Sequence, residues 1–333
     1  MKIARRRFLQ SFASVGAVGA AALAAGASGR ARADAAAAVG TGRGEALQGP
    51  YLDLRTGEGN KLAFARIQGD LDFGRQDTGW FKGYVMAVRP DKKIDDLFGF
   101  EGFGASRLHQ RPDGSIERIL REVGLYTDLK SGEVLEEWYN PYRDETVRVV
   151  PVANDPFNYV IEDYFPAPPE FGGLNQEDRP PRIPFILPWQ QRGDRLDMEI
   201  HIHLIYPSAL QPDKWPRESA GPMVRASEFF SHHIKAEDMQ NPEITHLPFH
   251  GVWGRVTPWL PWMLMGQAPG HCQYSCFMGG GEDLEAVHSR RVLDYVEKNY
   301  PKYFQAPEKW SEPSLSSLEN YAVEQTPAPA QKE

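Results

Sequence analysis

The sequence predicts a mainly β protein: a single antiparallel, barrel-like (calycin-like) domain with one or two accessory α-helices. Three observations carry this. Apolar residues recur at every second position through several short segments. Turn signals separate those segments at short intervals: Arg111-Pro112-Asp113-Gly114, Ser131-Gly132, Asn140-Pro141 and Asn154-Asp155-Pro156. No strand–helix–strand alternation appears, and no G-x-G-x-x-G follows a strand, so a dinucleotide-binding fold is set aside.

Residues 1–33 read as an address. Arg5-Arg6 is a twin-arginine pair, an Ala/Gly/Val run follows, and Ala31-Arg32-Ala33 is a small-x-small cleavage site. The expectation is a twin-arginine signal peptide, so the translocase is a partner during export and the periplasm is the destination. Residues 34–49 read as a flexible linker, 50–310 as the β-rich domain, and 311–333, rich in Pro, Ser and Glu, as a disordered or draped tail. Strands are expected at 79–88, 115–123, 133–139, 145–152 and 195–206, with a long proline-rich connection at 166–184. One helix is expected from Ser227 to about Lys235. A second, EDLEAVHSRRVLDYVEKNY, spans 282–300, with Leu284, Val287, Val292, Tyr295 and Val296 at helical spacing and Pro301 after its end.

Charge excludes one class of partner. The leader holds six of the 37 basic residues and none of the 45 acidic ones, leaving 31 against 45, a net charge of −14. Such a chain does not track a phosphate backbone, so nucleic acid is discounted. No later run approaches the ~20 apolar residues of a membrane span, so no stable membrane span is expected. The two cysteines, Cys272 and Cys276, are spaced C-x-x-x-C. On a straight strand they lie ~13 Å apart, too far to bridge, whereas a turn or helix between them permits a disulfide. Structural thiols, free or bridged, are favoured over a redox or metal pair.

The chemistry candidates centre on EIHIHLIY. Glu199, His201 and His203 share one face of a strand whose other face is Leu196, Met198, Ile200, Ile202 and Leu204. Neighbours at i and i+2 stand ~6.5–7 Å apart, so two imidazoles can converge on one ion. Three readings stay open: a metal site on His201 and His203, an acid/base site, and a solvated face. A third metal ligand could come from Glu199 or from His232, His233, His246, His250 or His271. A cofactor-free site is favoured, with a divalent metal as the alternative. Lys214 and Arg217, in the proline-rich loop 207–223 with Glu218 and Ser219, are candidates for stabilising negative charge. Trp138, Tyr139, Tyr142, Trp259 and Trp262 are candidate walls of an aromatic-lined pocket.

Several stretches resemble a bacterial family catalogued as domain of unknown function 1838: EVLEEWYNPYRDETVRVVPVANDPFNYV, YPSALQPDKWPRESAG, RVTPWLPWMLMG and the twin-arginine leader. The shared signature is W-x-N-P-Y-x-x-E, here Trp138, Asn140, Pro141, Tyr142 and Glu145. The chain departs from the family pattern at Ser208-Ala209, where Asn-Pro is usual, and at Arg143-Asp144, where a Thr-Gly turn is usual. The resemblance implies export and a β-rich fold and supplies no catalytic residue. The functional expectation is a periplasmic enzyme doing acid/base chemistry on a small hydrophobic, aromatic molecule such as a lignin-derived phenolic. A cofactor-free lyase or isomerase is favoured over a hydrolase. In it His201 or His203 moves the proton, Glu199 orients it, and Lys214 or Arg217 holds the developing charge. The alternatives are a non-catalytic periplasmic carrier of such a ligand, a metal-dependent enzyme using His201 and His203, and a structural partner with no deep pocket.

Overall fold

Nine strands pair in the order β6-β3-β2-β1-β12-β11-β10-β9-β8, and β7 adds a tenth by pairing with β3. The long members are β1 (Gln76–Val88), β2 (Asp95–Gln110), β3 (Ile116–Thr127), β9 (Arg195–Pro207), β10 (Met223–Lys235), β11 (Phe249–Thr257) and β12 (His271–Gly280). The short ones are β6 (Val152–Asn154), β7 (Tyr159–Ile161) and β8 (Trp189–Arg192). Every pair is antiparallel. A separate hairpin joins β4 (Glu137–Asn140) to β5 (Glu145–Arg148). This computed structural model describes residues 47–165 and 182–329. The leader 1–33, most of the linker, the proline-rich connection from 166 to 181 and the last four residues lie outside the described residues.

The mainly antiparallel β architecture agrees with the sequence. Among the described residues the large sheet is barrel-like but not closed on itself, because no strand pair joins β7 to β8. A helix occupies the gap. Helix α1 (Gly57–Gln68) is buried along most of its length and touches both halves of the curled sheet. On one side, Arg118 of β3 donates to Gln68 Oε1 (2.7 Å), and Lys61 Nζ donates to the Gly114 carbonyl (3.1 Å). On the other, Asn60 Oδ1 accepts from the Leu187 backbone (3.0 Å) and from Trp189 Nε1 of β8 (2.8 Å). Arg66, wholly buried, donates to the carbonyls of Asp238, Met239, Asn241 and Ile244. Backbone bridges between 163–165 and 183–185 carry the chain across the same gap (2.8 and 2.9 Å).

Alternation decides what faces inward. Along β9, Leu196, Met198, Ile200, Ile202 and Leu204 are buried, while Glu199, His201, His203 and Ile205 are exposed. The inward residues of all seven long strands and of α1 join one core. Phe81 stacks on Phe100 (5.1 Å, 17°), and Trp253 packs within 6.2 Å of both rings. Glycine makes room for these rings: a Cβ at Gly124 would stand 2.7 Å from the Phe100 ring. On the outer face, helix α4 (Arg290–Asn299), following the single turn α3 (Leu284–Val287), sets Val292, Leu293 and Val296 on Trp80, Phe103, Val123 and Leu125. Such side chains contribute about 1.5–3 kcal/mol each when buried.

Other segments differ from the expectation. Ser227–Lys235 is not a helix but part of β10, whose Val224, Ala226, Phe230, His232 and Ile234 alternate inward. Pairing with β9 and β11 along its length outweighs the local capping signal. The expected helix 282–300 is two, because His288 is extended and turns its ring onto Glu101 (3.0 Å), and Ser289 then caps α4. The strand expected at 145–152 divides into β5 and β6 around Pro151, which has no N–H for a ladder. The chain 311–329 carries helix α5 (Ser317–Glu324), opened by a Ser316/Glu319 capping box. This helix packs on β6 and, through Tyr321, on Trp215 of the loop after β9 (5.8 Å), while a short α2 (Ala236–Met239) follows β10.

Asn60→Ala is expected to lower stability by roughly 3 kcal/mol in urea unfolding, since it strands the Leu187 and Trp189 donors and the Leu54 carbonyl inside the core. A loss below ~1 kcal/mol would mean α1 does not hold the two halves together.

Candidate site at the open end of the sheet

Helix α1 fills the end of the curl where β3 and β9 begin. The opposite end, where β3 and β9 finish, holds a cavity of about 100 Å3. Its wall comes from Tyr126 on β3, Tyr206 at the end of β9, Arg255 and Thr257 on β11, the chain 150–154, the loops 208–220 and 258–262, and helix α5.

The signature residues build the rim. Asn140 is fully buried; its Nδ2 donates to the Met263 carbonyl (2.7 Å), and its Oδ1 accepts from the Tyr142 N–H (2.9 Å). Trp138 stands perpendicular to Trp262 (6.0 Å, 87°) and to Phe98 (5.7 Å, 90°). The Tyr142 ring packs 5.9 Å from Trp259, lies under the Arg89 guanidinium (4.3 Å), and its hydroxyl donates to Asp95 (2.9 Å). Burial and the Asp95 carboxylate push that phenol well up. Glu145 forms an ion pair with Arg217. The hairpin β4–β5 thus ties down the 258–266 loop on one side and the 207–223 loop on the other. Trp259 is further fixed by donating to the Ala268 carbonyl (2.9 Å).

Ionisable groups line the interior behind this rim. Arg255 and Glu228 are direct cross-strand partners, 3.4 Å apart, and each is over nine-tenths buried. Burial opposes charge on Arg255, but Glu228 together with Tyr274, Tyr206 and Tyr126 outweighs it and raises the guanidinium's pKa. Burial pushes Glu228 up. Glu122 is pushed to about 8 by burial, relieved in part by Asn154, which donates to it at 2.6 Å, and reinforced by Glu228. Tyr126 and Tyr274 place their hydroxyls 3.2 Å apart. Burial raises Tyr126 and Tyr206 to about 12, so both stay neutral hydroxyls at pH 7. Asn154 continues the network to Ser317 (3.0 Å) and Asn320 (2.7 Å) on α5. Glu218, 3% exposed, lines the cavity; one oxygen accepts from the Ala328 N–H and the other has no hydrogen-bond partner among the described residues.

The histidine strand lies elsewhere. Glu199 and His201 are each 55% exposed at the side chain, and His203 bonds Ser227 (2.9 Å), all on the outer face. His201 and His203 flank Phe229 (5.4 and 5.8 Å). His246 sits against the Gly69 carbonyl, His250 against Glu282, and His232 is wrapped by Phe230 and Phe249, its pKa driven to about 3 by burial. Among the described residues no group of three or more His, Cys, Asp or Glu is placed to hold a metal ion. Glu199, His201 and His203 therefore stay together but face away from the cavity, separated from it by their own strand. Lys214 is exposed, its ammonium over Trp215 (5.6 Å), and Tyr139 is exposed, bonding Asp144 (2.6 Å). Trp259 and Trp262 line the cavity; Trp138 and Tyr142 brace them from behind. Cys272 and Cys276 are free, buried thiols on one inward face of β12, raised to about 12 by burial.

Arg255, Glu228, Glu122 and Tyr126 were missed by the sequence reading. Arg255 stands three residues before Pro258 in one of the very segments that carry the resemblance, and its period places it with Trp253 and Thr257 on the inward face.

Fold and site together define a curled antiparallel sheet with an aromatic-rimmed interior cavity at one end. The family described as protein of unknown function (DUF1838) matches residues 74–324, and the chain belongs to that family. No curated protein matches the chain. No helix among the described residues is long and apolar enough to cross a membrane.

Two outcomes follow. Glu122 has an ordinary value of 4.5 and a folded value of about 8, so its protonated form is favoured by folding. Stability is therefore lost as pH rises from about 4.5 to about 8 and levels off above. Glu122→Gln removes that loss; its stability relative to the parent should grow across this window by a few kcal/mol, on the order of one per pKa unit, in urea melts at pH 5, 6.5 and 8. Parallel curves would contradict the shift. The double replacement of His201 and His203 by Ala should change stability by less than ~0.5 kcal/mol, as for other exposed sites, and leave binding at the cavity unchanged in calorimetry.

Proposed function

We propose that this chain is an exported enzyme that moves a proton on a small, largely apolar molecule held in the interior cavity. The observation that supports this most is Glu218: a buried carboxyl with an uncommitted oxygen in a cavity walled by Trp259 and Trp262. In this reading Glu218 accepts the proton. The neutral hydroxyls of Tyr126 and Tyr206 are the donors available where negative charge develops on an oxygen. The reaction class is isomerisation, in which protonated Glu218 returns the proton to a different carbon, or elimination, in which it gives the proton to the departing group; neither needs a cofactor in this scheme. The leader supports passage through the twin-arginine translocase and a working place in the periplasm. Aromatic walls favour an aromatic ligand, a phenolic of the lignin type among them.

The test is solvent exchange. The chain is incubated in D2O with a panel of small aromatic carbonyl and phenolic compounds, and deuterium incorporation and product formation are followed by NMR and mass spectrometry. Turnover of a panel member is expected, and Glu218→Gln should reduce it by about 100-fold or more with binding retained. Binding in the cavity with neither exchange nor product in the parent chain would replace the enzyme by a carrier.

A further inference from the structure

The proposed function leaves Arg255 without a task, although it is a buried cation in the cavity wall. Its side chain is enclosed, with the residue 8% exposed, yet neither Nε nor Nη1 makes a hydrogen bond among the described residues. Among the described residues its one ion-pair partner is Glu228, 3.4 Å from Nη1, longer than a good charge-assisted bond. A guanidinium carries five N–H donors in a planar fork, and enclosing them unbonded is costly. Arg255 is also the cationic member of the cavity wall, and Trp259 and Trp262 follow it directly in the loop across the mouth.

The other charges do not satisfy it. Glu122, which faces the same interior, is committed to Asn154 and is held largely protonated by burial. Arg118 adds a second guanidinium to the interior and donates to Gln68 and Tyr159. Glu218 and Glu324 are the acidic groups in the wall, and Glu218 is engaged through one oxygen by the Ala328 N–H.

We infer that the cavity takes a small aromatic monocarboxylate, whose carboxylate docks on the Arg255 fork while its ring lies against Trp259 and Trp262. The inference rests on the cavity being the ligand site, and it deepens that reading by fixing the ligand's charge. A planar carboxylate matches the guanidinium fork, and the carboxamide of the same shape does not, since it brings N–H donors to a donor. The charged head at Arg255 leaves the far end of the ligand to Glu218, the proton acceptor.

Matched pairs decide the matter: benzoate against benzamide, and cinnamate against cinnamamide, titrated calorimetrically into the full chain at pH 7. Each acid is expected to bind at least about tenfold more tightly than its amide, a difference of ~1.4 kcal/mol. Arg255→Met should abolish the preference, and Arg255→Lys should weaken it while keeping its direction. Where Arg255→Met does not fold, judged by circular dichroism, the parent pairs and Arg255→Lys carry the result. Amides binding as tightly as acids, or a preference that survives in Arg255→Met, would overturn the anionic ligand and leave the cavity standing. Binding by neither acid nor amide would overturn both.

Discussion

The closing of a curled sheet on a helix, rather than on its own edge, is the constraint on which the rest depends. Unpaired strand edges must be covered, and here α1 covers the gap with the side-chain oxygens of Asn60 and Gln68, which accept hydrogen bonds from opposite sides. A helix fills only the end of the curl in which it sits. The middle is filled by Phe81, Phe100 and Trp253. Among the described residues the far end has no such plug, and it is there that the cavity, the signature hairpin and α5 converge.

That arrangement gives the family signature a physical meaning. Trp138, Asn140, Tyr142 and Glu145 do not enter the cavity; each fixes a loop that does. Asn140 holds the Met263 carbonyl, and Glu145 holds Arg217, so two loops separated by some fifty residues are set against each other by the last residue of β4 and the first of β5, on either side of one turn. A rigid rim is the requirement for a small cavity whose polar groups must stay aimed inward.

The sequence made the sheet legible because its strands alternate cleanly, β9 above all, and because proline and glycine turns separate them. It failed where tertiary context outweighs local pattern. Ser227–Lys235 carries a helix-start signal, yet its neighbours on both sides hold it as a strand. Helix α1 was not visible, since it is buried on nearly all sides and shows no polar stripe. For the site, the histidines of β9 drew attention because a polar face is conspicuous in a sequence. The polar face of a one-sided strand is the one that meets water, and that is where they are. The groups that matter inside are single charges in apolar stretches, such as Arg255 after Trp253 and Glu228 before Phe229 and Phe230. Trp259 and Trp262 were legible as walls because aromatic residues beside prolines suit a rim.

The interior cavity and the outer histidine face make opposing forecasts for where a ligand slows backbone exchange. Hydrogen–deuterium exchange on the full chain with and without saturating benzoate separates them. Protection confined to residues 255–262 and 317–324 is the expected result. Protection along 199–203 and 227–231, with the cavity segments unchanged, would place the site on the outer face and contradict an interior one.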